Sequence, residues 1–407
     1  MRIKNLKDKL KAKLKWKNIK TNTKVVCFLL LFITFCNLLA IFCGDFAEWY
    51  RKYCFSYISV FWSRISNLTT VSIGEVLICL GILHLILFVV IGLVGFIKAP
   101  ICKKIRRLYF RWMVYVILFV YATETFHCFI LYHTETIEDN LLATLHSKEN
   151  AQNTDSADNN SIISIQDYHT DAERLLAVYN EVTRQLNALS LKLERNSNGE
   201  LVNHFTYEEC KEALRNVSNE FEYLKGYYPN PKKIYYSNIM SQQYLAGIYF
   251  PFSMEANYNQ IMYNSNFPST ICHELSHLKG YIREDEANFI AYVACIHSEN
   301  EFIQYSGYLS VYYYLMDDLM EYGNEEIYKQ MEEPNEYVMA DDIFLTAETF
   351  DEVEENAIIS PEVWSEASDA FVAPNLKMNG IESGMDNYNE VVRLLILYYE
   401  LNGINSK

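Results

Sequence analysis

The chain has 407 residues, of which half are hydrophobic, and this length suits a membrane anchor followed by a folded domain. Its formal net charge of −16 is unevenly divided: residues 1–133 hold 19 Lys and Arg against 5 Asp and Glu, whereas residues 134–407 hold 16 against 46. A domain this acidic does not neutralise phosphates, so we expect no nucleic-acid partner.

Three apolar runs near the start of the chain are long enough to cross a bilayer, which takes about 20 residues. They are Val25–Cys43, Val71–Ile97 and Trp112–Tyr132. The first run has no charged residue and the second has only Glu75, near one end, which favours membrane spans over buried helices of a soluble core. The sequence therefore predicts a membrane region over residues 25–133 with three transmembrane helices, and the lipid bilayer as a partner.

The basic residues predict the orientation of these spans. Residues 1–24 contain ten Lys and Arg, and six more lie between the second and third runs. The segment between the first and second runs has three, offset by Asp45 and Glu48. We therefore expect a basic cytoplasmic segment over residues 1–24 and a multi-pass protein of the cell membrane, with everything after His133 outside the cytoplasm.

The outer part of the chain is predicted to begin with a linker, residues 134–166, because Ser147–Gln166 is polar and has no apolar period. Apolar residues at helical spacing then predict helices, and two short runs rich in Tyr, Phe and Ile predict strands. The predicted helices are Leu175–Leu193, Tyr207–Lys225, Leu309–Tyr322 and Val391–Leu401, and the predicted strands are Ile234–Ser237 and Gly247–Phe252.

The acidic run Glu325–Glu355 is predicted to be a solvated helical face, since it lacks the ligand spacing of an EF-hand calcium loop. The order of elements is helices, a small sheet, and then more helices. We therefore expect residues 167–407 to form an α+β domain, mostly helical with a small sheet.

The sequence His273-Glu274-Leu275-Ser276-His277 carries the clearest chemical signal. Two histidines four residues apart lie on one face of a helix, so both imidazoles can reach one metal ion. Glu274 would face the open side of a zinc ion, where it can take a proton from water and later pass it to the leaving amine. The pattern predicts a Zn²⁺ site with Glu274 as the catalytic base; a surface helix with two ordinary histidines is the alternative.

A catalytic zinc usually has three protein ligands. Downstream, Glu284 and Asn288 are again four residues apart, on one face of a second predicted helix. In gluzincin peptidases a Glu ligand is followed four positions later by Asp, and this pair resembles that pattern with Asn in place of Asp. We predict Glu284 as the third ligand, with Glu286 as the fallback, and Asn288 as a hydrogen-bonding support for the ligands.

Four runs in combination carry a family resemblance: Gly247–Phe252, Glu255–Asn257, Cys272–His277 and Arg283–Phe289. Together they resemble an uncharacterised bacterial membrane family, domain of unknown function 3810 (DUF3810). The resemblance implies N-terminal spans, a zincin-like domain and membership of a metallopeptidase clan, but no known substrate.

Two further features of the site are predicted from the way zincins work. Zincins bind a peptide by adding it to a sheet edge above the active-site helix, so Gly247, Ile248 and Tyr249 are predicted to form that edge strand, with an ordinary buried strand as the alternative. Pro251 fits an edge, because it cannot donate to a central ladder. Tyr388 is one candidate, among 32 tyrosines, for the donor that stabilises the oxyanion.

The function expected from the sequence is a membrane-anchored zinc metallopeptidase that hydrolyses a peptide or protein substrate outside the cytoplasm. Two alternatives remain: a membrane sensor that signals through its spans, and a non-catalytic binding protein that keeps a metallopeptidase-like domain. The presence of Glu274 argues against the second alternative, because a protein that does not catalyse has no need of the base.

Overall fold

The computed structural model describes residues 21–94, 100–152, 171–357 and 390–403. Within these ranges it is mostly helical, with one small sheet of three strands, as the sequence predicts. The helices of the N-terminal part are α1 (Thr21–Phe42), α2 (Gly44–Tyr50), α3 (Ser56–Ser66), α4 (Ile73–Val94), α5 (Pro100–Glu124) and α6 (Ile137–Gln152).

Three of these helices are long and apolar enough to cross a membrane. The candidate spans are Asn22–Phe42, Ile73–Leu93 and a segment within Lys103–Lys148. No part of the apolar window in the second span is buried in the protein, so its side chains need a surrounding other than water. The predicted spans are therefore confirmed as apolar helices of sufficient length.

The segment between the first two spans, residues 44–66, is helical and packs on the rest of the protein. It consists of α2, a π-helical turn over Arg51–Phe55, and α3. Phe55 is fully buried, and the Ser59 hydroxyl donates a buried hydrogen bond of 2.6 Å to the carbonyl of Leu278. We call residues 44–66 the interspan segment. It is an integral part of the domain that the sequence predicted to begin at residue 167.

The predicted linker, residues 134–166, also begins differently from expectation. Ile137–Gln152 is helix α6, and it packs against the last helix of the chain. Its apolar residues Ile137 and Leu142 are buried, and Lys148 donates to the carbonyl of Leu401 at 2.8 Å. The helix was not predicted because it buries only one narrow side, and most of its residues are therefore polar. The rest of the expected linker lies outside the described residues.

The domain after α6 surrounds a small sheet with helices. The strands are β1 (Lys232–Ile234), β2 (Gly247–Phe250) and β3 (Glu255–Asn259), in the order β1-β3-β2. β1 is parallel to β3, and β2 is antiparallel to β3. The helices are α7 (Ala172–Ser190), α8 (Tyr207–Asn216), α9 (Ser237–Ser241), α10 (Phe267–His277), α11 (Glu284–Ile296), α12 (Glu301–Tyr322), α13 (Glu325–Tyr328), α14 (Glu336–Asp341), α15 (Ala347–Glu355) and α16 (Val391–Asn402).

The central strand β3 was not predicted, because its sequence is polar. Glu255, Asn257 and Asn259 are nevertheless buried. Glu255 is ion-paired with the equally buried Lys232 of β1 and accepts hydrogen bonds from the backbone of Ile73 and Gly74. A strand of this composition is stable in the interior because the Glu255 carboxylate and the amide nitrogens of Asn257 and Asn259 have hydrogen-bond partners there.

Other boundaries moved for local reasons. The helix predicted over Tyr207–Lys225 begins at Tyr207, where Thr206 and Glu209 form a capping box that satisfies the N–H groups of its first turn. It ends at Asn216, earlier than predicted. The acidic run predicted as one helical face is divided into α13, α14 and α15, two of which start at an Asn cap.

Arg51 of the interspan segment lies at the junction with the domain. It is 3% exposed, and its guanidinium carbon lies 4.1 Å from the ring centroid of Tyr223 and 4.0 Å from that of Tyr281. Its charge also opposes the rise that burial causes in the pKa of Glu286, which reaches about 7. The buried cation is therefore held by two aromatic faces and by nearby carboxylates.

We expect Arg51→Ala to lower the free energy of unfolding by about 3 kcal/mol, because it removes a buried side chain that packs against Tyr223 and Tyr281 and a cation that offsets the charge of buried Glu286. The measurement is thermal and chemical denaturation of the full chain in detergent. Lys52→Ala is the matched control: the Lys52 side chain is 46% exposed and pairs with the exposed Glu222, so we expect a loss of less than about 1 kcal/mol. Equal losses for the two variants would contradict this account of the junction.

Candidate metal centre

Helix α10 presents the two histidines on one face. It begins at Phe267, with Pro268 in its first turn, where a missing N–H costs nothing. Ser269 and Thr270, residue types that often cap a helix, lie inside α10, and Asn266 precedes its first residue. The chain leaves α10 through Gly280, whose φ of +87° is a left-handed conformation that favours glycine.

The structure brings together His273, His277 and Glu284. The Nε2 atoms of the two histidines are 3.1 Å apart. The Glu284 carboxylate lies 3.1 Å from Nε2 of His273 and 3.9 Å from Nε2 of His277. Ligands at about 2.1 Å from a tetrahedral zinc ion are about 3.4 Å from one another, so these spacings fit that geometry.

Neighbouring groups orient the donor atoms. Nδ1 of His277 donates to the carbonyl of Tyr281 at 2.7 Å, which leaves Nε2 to face the cluster as an acceptor. Asn288, one turn after Glu284 on α11, lies close enough to His273 to contribute to the rise in the pKa of that imidazole. The predicted supporting residue therefore lies beside a predicted ligand, as its spacing requires.

The structure separates Glu284 from its alternative, Glu286. The Glu286 carboxylate points to the other side of α11, where it accepts a hydrogen bond of 2.8 Å from the backbone of Ile137 at the start of α6. Glu286 is also 2% exposed and takes no part in the cluster of His273, His277 and Glu284.

Burial and the neighbouring charges both shift the pKa values of the residues in the cluster. Burial lowers the pKa of His277 to about 4, so this ring is neutral and able to donate a lone pair. Burial also opposes ionisation of Glu284, but the hydrogen bond and charge of His273, together with His277, outweigh it and lower the pKa of Glu284. A neutral His277 and an anionic Glu284 are the protonation states that these two residues need in order to coordinate a metal.

Glu274 lies beside the cluster in an apolar setting. It is 4% exposed, and its Oε2 has no hydrogen-bond partner among the described residues. Burial raises its pKa to about 8, against the opposing effect of His273. A buried carboxylate with an unpaired oxygen and a raised pKa is typical of a catalytic acid or base.

The predicted edge strand runs over Glu274. Gly247 of β2 lies so close that a Cβ at this position would overlap the Glu274 carboxyl group. β2 forms one edge of the sheet, and the Tyr249 ring lies 5.7 Å from the His277 ring. Gly247, Ile248 and Tyr249 therefore lie on an edge strand next to the cluster, and their role in binding a peptide stays a prediction.

One tyrosine near the cluster was missed by the sequence analysis. Burial raises the pKa of Tyr314 on α12, and the charge of Glu284 raises it further, so this phenol lies within electrostatic range of Glu284. The hydroxyl of Tyr249 is engaged with Met254 Sδ at 3.2 Å. Tyr388 lies outside the described residues. No sequence motif singles out Tyr314, because it reaches the cluster only through the packing of α12 on α10 and α11.

Comparison with known proteins yields a family but no activity. A family model described as "Protein of unknown function (DUF3810)" matches residues 50–396, a range that includes most of the interspan segment. Neither the curated proteins nor the solved structures contain a match to the chain.

We expect Glu284→Gln to weaken zinc binding by at least about 100-fold, because it replaces an anionic ligand with a neutral one. The measurement is bound zinc after equilibrium dialysis of the full chain against a competing chelator. Glu286→Gln is the matched control, and it should retain zinc, since the amide oxygen can still accept from Ile137. Loss of zinc in Glu286→Gln with retention in Glu284→Gln would reverse the assignment.

Proposed function

The chain belongs to the DUF3810 family, and we propose that it is a membrane-anchored zinc metallopeptidase that hydrolyses peptide bonds outside the cytoplasm. One observation carries the proposal: His273, His277 and Glu284 converge beside the buried carboxylate of Glu274, under the edge strand β2. Two imidazoles and one carboxylate suit zinc, whereas calcium and magnesium prefer ligand sets made of oxygen.

Each residue then has a distinct role. His273, His277 and Glu284 would hold the metal, and Asn288 and the Tyr281 carbonyl would keep the rings in place. Bound zinc would supply Lewis acidity at its open position. Glu274 would accept a proton from the attacking water and deliver it to the leaving amine, a transfer that its raised pKa favours.

The sheet edge offers a place for the substrate backbone. An extended peptide can add to an edge strand through main-chain hydrogen bonds, so its direction is fixed without demands on its sequence. β2 holds Gly247 against Glu274, and a side chain at this position would fill the space that the carboxyl group needs. The absence of a side chain thus keeps Glu274 next to the backbone of a peptide paired with β2.

The contacts of the interspan segment support the orientation. Ser59 donates to Leu278, next to the histidine helix, so the segment between spans one and two lies on the same side of the membrane as the cluster. A chain with three spans requires this arrangement, because the interspan segment and the region after the third span then lie on the same side of the membrane. The distribution of basic residues makes that side the outer one.

A sensor function is the second candidate, and the same junction favours it. Arg51 and Ser59 of the interspan segment contact the turn that separates His277 from Glu284. A movement of the first two spans would therefore be transmitted to the metal ligands, or the reverse.

We expect Glu274→Gln to retain zinc and to lower the hydrolysis of peptides by about 10³-fold, because it removes the proton acceptor and leaves the ligands intact. The full chain in lipid nanodiscs is assayed against a mixed-sequence library of quenched-fluorescent peptides. Glu286→Gln is the control for loss of a buried carboxylate near the site. Zinc binding without any hydrolysis that depends on Glu274 would rule out the peptidase and leave the sensor.

We expect Tyr314→Phe to lower kcat by about 10- to 100-fold with little change in KM, since a donor to the oxyanion acts mainly in the transition state. Tyr313→Phe is the matched control, because Tyr313 is the adjacent residue and 56% exposed. The same peptide is used for both variants. An unchanged kcat in Tyr314→Phe would remove Tyr314 from the mechanism.

A further inference from the structure

The edge strand that covers Glu274 leads directly to the membrane spans. Gly247 lies against Glu274, and Phe250, three residues further along β2, packs its ring against Gly74 at the start of α4. Three residues of a strand extend about 10 Å. The catalytic carboxylate is therefore about 10 Å, measured along the strand, from the first turn of a candidate span.

The start of α4 is fixed to the sheet by hydrogen bonds. The Glu75 carboxylate accepts from the backbone N–H groups of Tyr235 and Tyr236, both at 2.9 Å, just after β1. Glu255 of β3 accepts from the backbone of Ile73 and Gly74 at 3.2 and 2.8 Å. The first turn of this span therefore contacts the sheet at both ends, at Phe250 and Glu255 beside the β2–β3 turn and at Tyr235 and Tyr236 after β1, so the sheet is held directly against the top of the span.

A second candidate span, α5, contacts the sheet at the turn between β2 and β3. The ring of Phe252, in the turn between β2 and β3, lies 5.9 Å from the ring of Phe119 on α5. In the same turn, the Pro251 carbonyl accepts from Nδ1 of His127, which follows α5, at 2.6 Å. The β2–β3 turn thus sits between α4 and α5.

Apolar side chains are exposed along the same edge. Of the eleven exposed large apolar residues that the structure describes after residue 133, six lie between residues 235 and 248. We call these six the apolar rim; they are Tyr235, Tyr236, Ile239, Tyr244, Leu245 and Ile248. The rim begins at the backbone groups bonded to Glu75 and ends on β2, beside the residue that covers Glu274.

The interspan segment also has an exposed aromatic face. Trp49, Tyr53, Tyr57 and Phe61 recur every four residues and are 51%, 56%, 72% and 59% exposed, while Phe55 on the opposite side is fully buried. Tyrosine and tryptophan concentrate where lipid headgroups meet water. A helix with one aromatic face and spans attached near both ends lies along the membrane surface.

We propose, on the basis of the peptidase function above, that the site takes its substrate from the membrane surface: the extended segment that immediately flanks the membrane anchor of another polypeptide. The headgroup layer is about 5–7 Å thick, so a strand that ends at the top of a span places its peptide-binding edge at or just above that layer. A peptide tethered to the same bilayer reaches this edge at high effective concentration, whereas a free peptide must compete with lipid at the apolar rim.

The test varies the distance between the cleaved peptide and its membrane anchor. The full chain is reconstituted in vesicles with a peptide that it cleaves, chosen from a mixed-sequence library. The peptide is supplied unanchored, or with a C-terminal stearoyl group after a spacer of four or fourteen residues. A four-residue spacer reaches at most about 14 Å, and a fourteen-residue spacer about 50 Å.

We expect the peptide with the short spacer to be cleaved about 100-fold faster than the unanchored one at equal bulk concentration, and at least as fast as the peptide with the long spacer. Cleavage that requires the long spacer, or that is equal with and without the anchor, would overturn the proposal. Cleavage of no peptide at all would instead count against the peptidase function.

A second measurement does not depend on cleavage. A photo-crosslinking benzophenone amino acid replaces Tyr236 or Tyr244 of the apolar rim, and irradiation in vesicles should attach labelled phospholipid. Leu191 is the matched control, because it is 70% exposed on a different part of the domain. Crosslinks from the rim and none from Leu191 support the membrane position even if the peptidase fails. Equal or absent crosslinks at all three positions would overturn it.

Discussion

The turn between His277 and Glu284 is the constraint on which the rest of the site depends. It reverses the chain within six residues, so that the first turn of α11 lies over the last turn of α10. Gly280 takes a left-handed conformation there, and a Cβ on it would press against the side chains of Arg51 and Phe55. The cluster of His273, His277 and Glu284 and the packing of the interspan segment therefore share one tight turn.

This shared turn makes the membrane region and the domain a single folding unit. Arg51 is buried between Tyr281 of the turn and Tyr223, and Ser59 is bonded to Leu278. On the other side of the site, the buried ion pair of Glu255 with Lys232 holds the start of α4. Lys232 and Glu255 also bond to the backbone of Ser66, Val71, Ile73 and Gly74, so part of their hydrogen bonding is made only across the junction. A fragment that begins after the third span lacks both contacts.

The predictions from sequence succeeded where the signal was local. The apolar spans, the two histidines on one helical face and the one-turn spacing of Glu284 and Asn288 follow from helix geometry alone. They failed where partners came from far along the chain. β3 is polar because its acid and amide groups find buried partners, and α6 looked like a linker because its buried side is narrow. Tyr314 carries no local signal.

The sequence by itself determined which groups are present: two imidazoles and two carboxylates at helical spacings, in a chain with three helices apolar enough to cross a membrane. Only the tertiary structure decided that Glu284 joins the histidines while Glu286 turns to the backbone of Ile137. Only the tertiary structure placed β2 between Glu274 and the start of α4. The physical reason is that spacing along a helix fixes which residues share a face, whereas the packing of distant segments fixes what that face meets.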